Sequence, residues 1–154
     1  MIQRIQSIYL LVACVLMTLT ALMPLAYFSN TYEFFNLYAA GLRGADGTMV
    51  QTTPYMLALV AASAILPLIN IFLFKRRMLQ IRLCVVEVVI LIGASIMMGL
   101  YIFLSYRTFS TLELSAQGFK PILVFPIISI VLSLFAAKAI FRDELLVKSV
   151  DRIR

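Results

Sequence analysis

Histidine and tryptophan are absent from this chain, and cysteine occurs only twice. Without histidine the commonest general base and the commonest metal ligand are both missing. Cys14 and Cys84 each fall inside an apolar stretch. Two lone thiols are too few for a structural zinc site, and their positions argue against a disulfide. Charge is scarce as well, at 13% of the 154 residues, whereas hydrophobic residues make up 63%. Soluble domains carry about 25% charged residues. A soluble protein of this composition would lack the polar groups to cover its surface, so the apolar excess must face lipid.

Four apolar runs are long enough to cross a ~30 Å hydrocarbon core as helices. They cover about 7–28, 54–74, 83–104 and 121–141, with a tail at 142–154. The first is read as an uncleaved signal anchor, because it is too long for a signal peptide and no small-x-small site follows. The whole chain 1–154 is thus one domain. Pro54 and Pro121 start spans, where a first-turn proline loses no hydrogen bond. Pro24, Pro67 and Pro126 are expected inside spans, as local bends.

Net charge is +6. Arg4, Lys75, Arg76, Arg77, Arg82, Lys138, Arg142, Lys148, Arg152 and Arg154 flank the first, third and last polar positions, leaving Arg43, Arg107 and Lys120 for the other two connections. This asymmetry sets both termini in the cytoplasm by the positive-inside rule. No basic groove interleaved with aromatics appears, so no nucleic-acid partner is expected.

Compared with itself at an offset of 77 residues, the chain matches Leu37, Ala39, Gly41, Leu42 and Arg43 to Leu114, Ala116, Gly118, Phe119 and Lys120. With an offset of 67, Pro54 falls on Pro121. The chain reads as two like-oriented helical hairpins, each with an external Gly-apolar-basic motif. Two readings of those external segments stand. Phe34–Tyr38 and Thr111–Ser115 pair as strands, with Met49–Thr52 as a third, Gly41 and Gly118 in positive-φ turns, and an Asp46-Gly47 turn. Alternatively they are irregular loops with interfacial aromatics. The expected fold class is all-α membrane: a four-transmembrane-helix bundle of two parallel-repeat hairpins, with a small β-sheet cap from the external loops under the first of these readings.

Glu87 is the acidic residue well inside a span. Such groups are costly in lipid and mark functional sites by default. The bland expectation is an ion pair with Lys138, at comparable depth on the fourth span. The sharper one is a proton- or cation-coupling carboxylate. Asn70, Ser63, Thr18, Thr20, Ser95, Ser129 and Ser133 are expected to bond neighbouring helices or their own backbone. Glu33, Asp46 and Glu113 do not recur at metal-ligand spacing. No nucleophile–base pair or phosphate loop is present, so neither an enzyme nor a cofactor is expected.

In the tail, Leu145, Leu146, Val150 and Ile153 share one broad face. It is expected to continue span four or to lie on the inner surface, held by anionic lipid. Arg4, Lys75, Arg76, Arg77, Arg82, Asp151, Arg152 and Arg154 form a candidate docking face, on which Gln3 and Gln6 meet the tail.

The opening Met-Ile-Gln-Arg-Ile-Gln-Ser-Ile-Tyr-Leu, the closing Asp-Glu-Leu-Leu-Val-Lys-Ser-Val-Asp-Arg-Ile-Arg and the four-span layout resemble a bacterial family of small four-span membrane proteins of unknown function. The resemblance implies a multi-pass protein of the bacterial inner membrane and supplies no catalytic residues. The expected role is a non-enzymatic scaffold or accessory subunit with a membrane-protein partner or a second copy. A small transporter or lipid-binding protein with a site near Glu87 is the alternative, and a membrane enzyme the third reading.

Overall fold

The protein is described by a computed structural model covering residues 2–30, 34–73, 76–110 and 114–151. The first apolar run divides in two. Its helix, α1, spans Ile2–Leu22, and Ala26–Asn30 leave it as strand β1. Pro24 follows the helix end, where no main-chain donor remains to continue it. The span expected over 7–28 is therefore corrected to a helix that begins and ends earlier in the chain, followed by a strand.

Three more strands follow: β2 (Phe34–Tyr38), β3 (Gly41–Gly44) and β4 (Met49–Thr52). After helix α2 (Pro54–Phe72) and helix α3 (Arg77–Ser110) comes β5 (Leu114–Phe119). A 3₁₀ turn at Pro121–Val124 leads into α4 (Phe125–Asp151). The five strands make one antiparallel sheet in the order β4-β3-β2-β1-β5. The all-α expectation is thereby corrected. These connecting segments are strands, but β2 and β5 do not pair with each other: β1 lies between them.

The two loop glycines do different work. Gly41 opens β3 with φ +153°, opposite Tyr38 across a two-residue loop. Gly118 stands inside β5 opposite Tyr27 and is not in a positive-φ turn. A side chain there would strike the Tyr27 ring, which covers the glycine across the strands. The Asp46-Gly47 turn is as expected: Gly47 has φ +74° and donates to the Gly44 carbonyl at 3.0 Å.

Pro126 is the second residue of α4 rather than a mid-helix bend, while Pro67 is buried inside α2. The tail continues the fourth helix without a break to Asp151. The four helices pack in a ring, α1 on α2, α2 on α3, α3 on α4, and α4 on α1. Each is long and apolar enough to cross a membrane. At ~1.5 Å per residue, the 34 residues of α3 run about 50 Å, well beyond the hydrocarbon core.

Buried residues recur along every helix at alternating steps of three and four. On α1 they are Gln6, Leu10, Ala13, Met17 and Thr20; on α3, Gln80, Cys84, Glu87, Leu91, Ala94 and Met98. This 3.5-residue spacing keeps one stripe facing neighbouring helices. The opposite faces are apolar and exposed, as with Val85, Val89, Ile92 and Ile96 on α3. The interior changes character along its length. Towards the sheet it is apolar, with Met17, Met56, Val60, Leu91 and Met98 in one cluster beneath Leu25 and Ala39. Towards the other end, where α3 begins, polar stripe residues take over. That end carries Arg76, Arg77, Arg82, Lys138 and Arg142 and is the basic end of the molecule.

Candidate functional site

Polar side chains of the interior stripe meet in two layers. Nearest the basic end, the Gln6 amide donates to Asp143 Oδ2 at 2.7 Å, joining α1 to α4. Arg77 Nη1 donates to the Asp143 main-chain oxygen at 3.2 Å. Asn70 and Gln80 lock α2 to α3 reciprocally. Gln80 Nε2 donates to the Asn70 carbonyl at 2.9 Å, and Asn70 Nδ2 donates to the Gln80 carbonyl at 3.3 Å and to Cys84 Sγ at 3.0 Å.

One helical turn further in lies Glu87, only 1% exposed. The Ser133 hydroxyl donates to its Oε1 at 2.7 Å. The expected Glu87–Lys138 ion pair is not formed; Ser133 holds the carboxyl, and Lys138 is exposed. The reason is angular. Five residues separate Ser133 from Lys138, about 500° of helix rotation, so a helix that turns Ser133 inward turns Lys138 away.

Glu87 Oε2, Asn70 Oδ1 and Ser129 Oγ are buried with no hydrogen-bond partner among the described residues. Cys84 is one turn before Glu87, so the amide and the carboxyl lie within about a turn of each other along the axis. Ser129 is one turn from Ser133 towards the sheet. Among the described helix residues the unpartnered acceptors thus run from the basic end to Ser129, short of the methionine-rich cluster; beyond it the buried Thr20 bonds its own helix. The other intramembrane hydroxyls bond locally, Thr18 to Cys14, Thr20 to Leu16, Ser63 to Val60 and Ser95 to Leu91.

The repeat motif is not brought together. Arg43 lies on β3, with its guanidinium over the Tyr38 ring at 5.0 Å. Lys120 follows β5, and two strands stand between the motifs. Its main-chain N–H donates to the Leu25 carbonyl at 3.0 Å. Of the candidate docking face, Arg76 and Arg82 are exposed, and Arg77 turns onto α4. Arg4 and Asp151 lie on α1 and α4 at the same end. Lys75, Arg152 and Arg154, with Glu33 and Glu113, lie outside the described residues. Gln6 meets Asp143, two helical turns before the tail position expected for it. Asp143 was missed because it sits among exposed charges in the sequence, and only its three-residue step from Ile140 signals the buried stripe. Among the described residues no group of three metal-ligating side chains gathers.

Substitution of Glu87 tests the inner layer. Glutamine retains an oxygen that accepts from Ser133, so E87Q should unfold within about 0.5 kcal/mol of the parent. Leucine strands the Ser133 hydroxyl, and E87L should lose about 1 kcal/mol, the scale of interhelical hydrogen bonds in membranes. Equal losses in detergent unfolding would show that the bond holds nothing.

Four apolar helices whose polar groups turn inward, closed at one end by a sheet, define a membrane protein. The chain belongs to the family described as a domain of unknown function, DUF4293, which matches residues 2–153. No curated protein matches it.

Proposed function

We propose that this protein is a non-enzymatic scaffold or accessory subunit of the bacterial inner membrane. Both termini and the basic end face the cytoplasm by the positive-inside rule, and the sheet faces outward. Lipid surrounds the helices, and anionic headgroups meet the basic end. The two hairpins derive from one repeated unit, with α1 and α3 as equivalent members. The observation that carries the reading is the free edge of β4. It is the last strand of the sheet, and all four of its residues are exposed. A sheet edge presents unpaired N–H and C=O groups and accepts a strand from a partner. Met49 and Val50 add exposed apolar surface to it.

A photo-crosslinking residue at Val50 in intact cells tests this. Val50 is 58% exposed and Ile96, on the lipid face of α3, 60%, so Ile96 is a control of equal exposure. The expected result is a discrete protein adduct at Val50, with a membrane protein or a second copy, and only lipid at Ile96. Lipid adducts alone at both sites would sink the reading.

A second reading is favoured by the unpartnered Oε2 of Glu87. It is a transporter in which that oxygen takes a proton or small cation. Ion flux into proteoliposomes that E87Q abolishes would select it over the scaffold.

A further inference from the structure

Between α1 and α4, at the basic end, lies a groove of about 560 Å³. Its walls include Ile5 and Tyr9 from α1, and Phe135, Lys138, Arg142 and Leu146 from α4. We propose that this groove is a binding site for one anionic phospholipid, its phosphate held by Lys138 and Arg142 and its acyl chains lying over Tyr9 and Phe135. The proposal goes beyond a general attraction of headgroups to the basic end. It rests on the helices crossing a bilayer, and on nothing about the β4 edge.

Lys138 and Arg142 are four residues apart, so they share one face of α4 with their Cβ atoms about 5–6 Å apart. Both are exposed, and no ion pair or hydrogen bond ties either side chain among the described residues. The acid lining the groove, Asp143, is buried and already takes the Gln6 amide. Two cations therefore face one inward-turned acid, which favours a phosphate monoanion and disfavours a headgroup with its own ammonium.

Depth fits a lipid. Counted from Phe125 at ~1.5 Å per residue, Lys138 lies about 20 Å and Arg142 about 26 Å along α4. With the 3₁₀ turn ahead of them, they reach headgroup level on the far side of a ~30 Å core. Long cationic side chains extend to that level while their stems stay in hydrocarbon. Below them the Tyr9 and Phe135 rings stand 6.2 Å apart, tilted by 43°. Phe135 is exposed on what is then the lipid-facing surface, and Ile5 and Leu146 are exposed along the groove towards the interface. A molecule that reaches this groove from the bilayer must be an amphiphile with its charge at the interface.

The test uses the whole purified protein, with bound lipid read by native mass spectrometry after addition of phosphatidylglycerol or phosphatidylcholine. The parent should retain one phosphatidylglycerol in clear preference to phosphatidylcholine. The double variant K138Q/R142Q should lose that retention by at least about tenfold, because it removes both cations that line the groove and would hold the phosphate directly. The equally charged control R76Q/R82Q should stay within about twofold. A third variant, A139W, fills the groove and leaves both cations, and should also lose the lipid. Equal losses in K138Q/R142Q and R76Q/R82Q, full retention in A139W, or no preference for phosphatidylglycerol would each overturn the assignment. A negative result here leaves crosslinking at Val50 untouched.

Discussion

Replacing Gly41 with alanine should lower the unfolding free energy by about 3 kcal/mol, the sum of left-handed backbone strain and overpacking. Both causes act at one atom. At φ +153° an L side chain is strained. A Cβ there would also run into the main-chain oxygen of Gln51 on β4. A main-chain atom cannot rotate aside like the end of a side chain, so β3 and β4 must separate. Their pairing holds Thr52 opposite Gly41. Thr53, next along, is fixed to the same loop: its N–H donates to Ala40 and its hydroxyl to Ala39, at 3.1 and 2.9 Å. The loop and the start of α2 are thus tied together, and strain at Gly41 reaches the helix. The check is thermal unfolding in detergent, with G93A as a control. Gly93 lies in α3 with open space around it, and alanine is favoured over glycine in a helix by up to about 1 kcal/mol. G93A should be neutral or stabilising. If G41A unfolds with G93A, the close contact at Gly41 is not what the sheet requires. G41A should also weaken any adduct formed at Val50, because Val50 lies on the strand that is displaced.

How far the sequence alone reaches depends on which signal each element leaves. The helices follow from length and hydropathy, and the start of α2 follows from Pro54. Strand β1 does not. Leu25, Ala26, Tyr27 and Phe28 continue the apolar run of α1, and in a window of mean hydropathy a buried strand and a buried helix look the same. Only Pro24 marks the change. The strand lies between β2 and β5, with Ala26 and Phe28 buried and Tyr27 and Ser29 half-buried, an alternation too short to stand out at the end of a long apolar run. The motif glycines illustrate a second limit. Gly41 and Gly118 stand in matching sequence contexts, yet one relieves backbone strain and the other makes room for a ring. Glycine records that a Cβ is excluded, not by what.

The inner site was half legible. Glu87 is conspicuous as a charge in a span. Depth alone points to Lys138 as its partner, whereas helix phase points to Ser133. In a soluble helix the apolar stripe marks the buried face. Here lipid makes the outer face apolar too, and the buried stripe is marked by polar residues: Gln80 and Glu87 on α3, Ser129, Ser133 and Asp143 on α4. Read at steps of three and four, those positions select Ser133 over Lys138 as the residue facing Glu87. They also leave Lys138 and Arg142 on the outside, where the groove is.

Asp143 closes that end of the helix ring, and D143L should cost about 2 kcal/mol. Leucine removes the acceptor of the Gln6 amide and leaves a donor 7% exposed without a partner, for which the penalty is about 1–3 kcal/mol. The bond from Arg77 survives, since it ends on the main-chain oxygen, so the fault is confined to the α1–α4 contact. D143N keeps an accepting oxygen and should lose no more than about 1 kcal/mol. Q6L alone strands the Asp143 carboxyl and should cost at least as much as D143L. In the double variant Q6L/D143L neither group is left unpaired. Its loss should therefore fall short of the sum of the single losses by about 1–2 kcal/mol, the coupling expected of residues in direct contact. Additive losses across this cycle would mean that the 2.7 Å bond does not join the helices. The same cycle separates stability from lipid capture. Q6L/D143L keeps Lys138 and Arg142 and removes the acid that lines the groove beside them. It should therefore hold phosphatidylglycerol at least as well as the parent, even while it unfolds more readily.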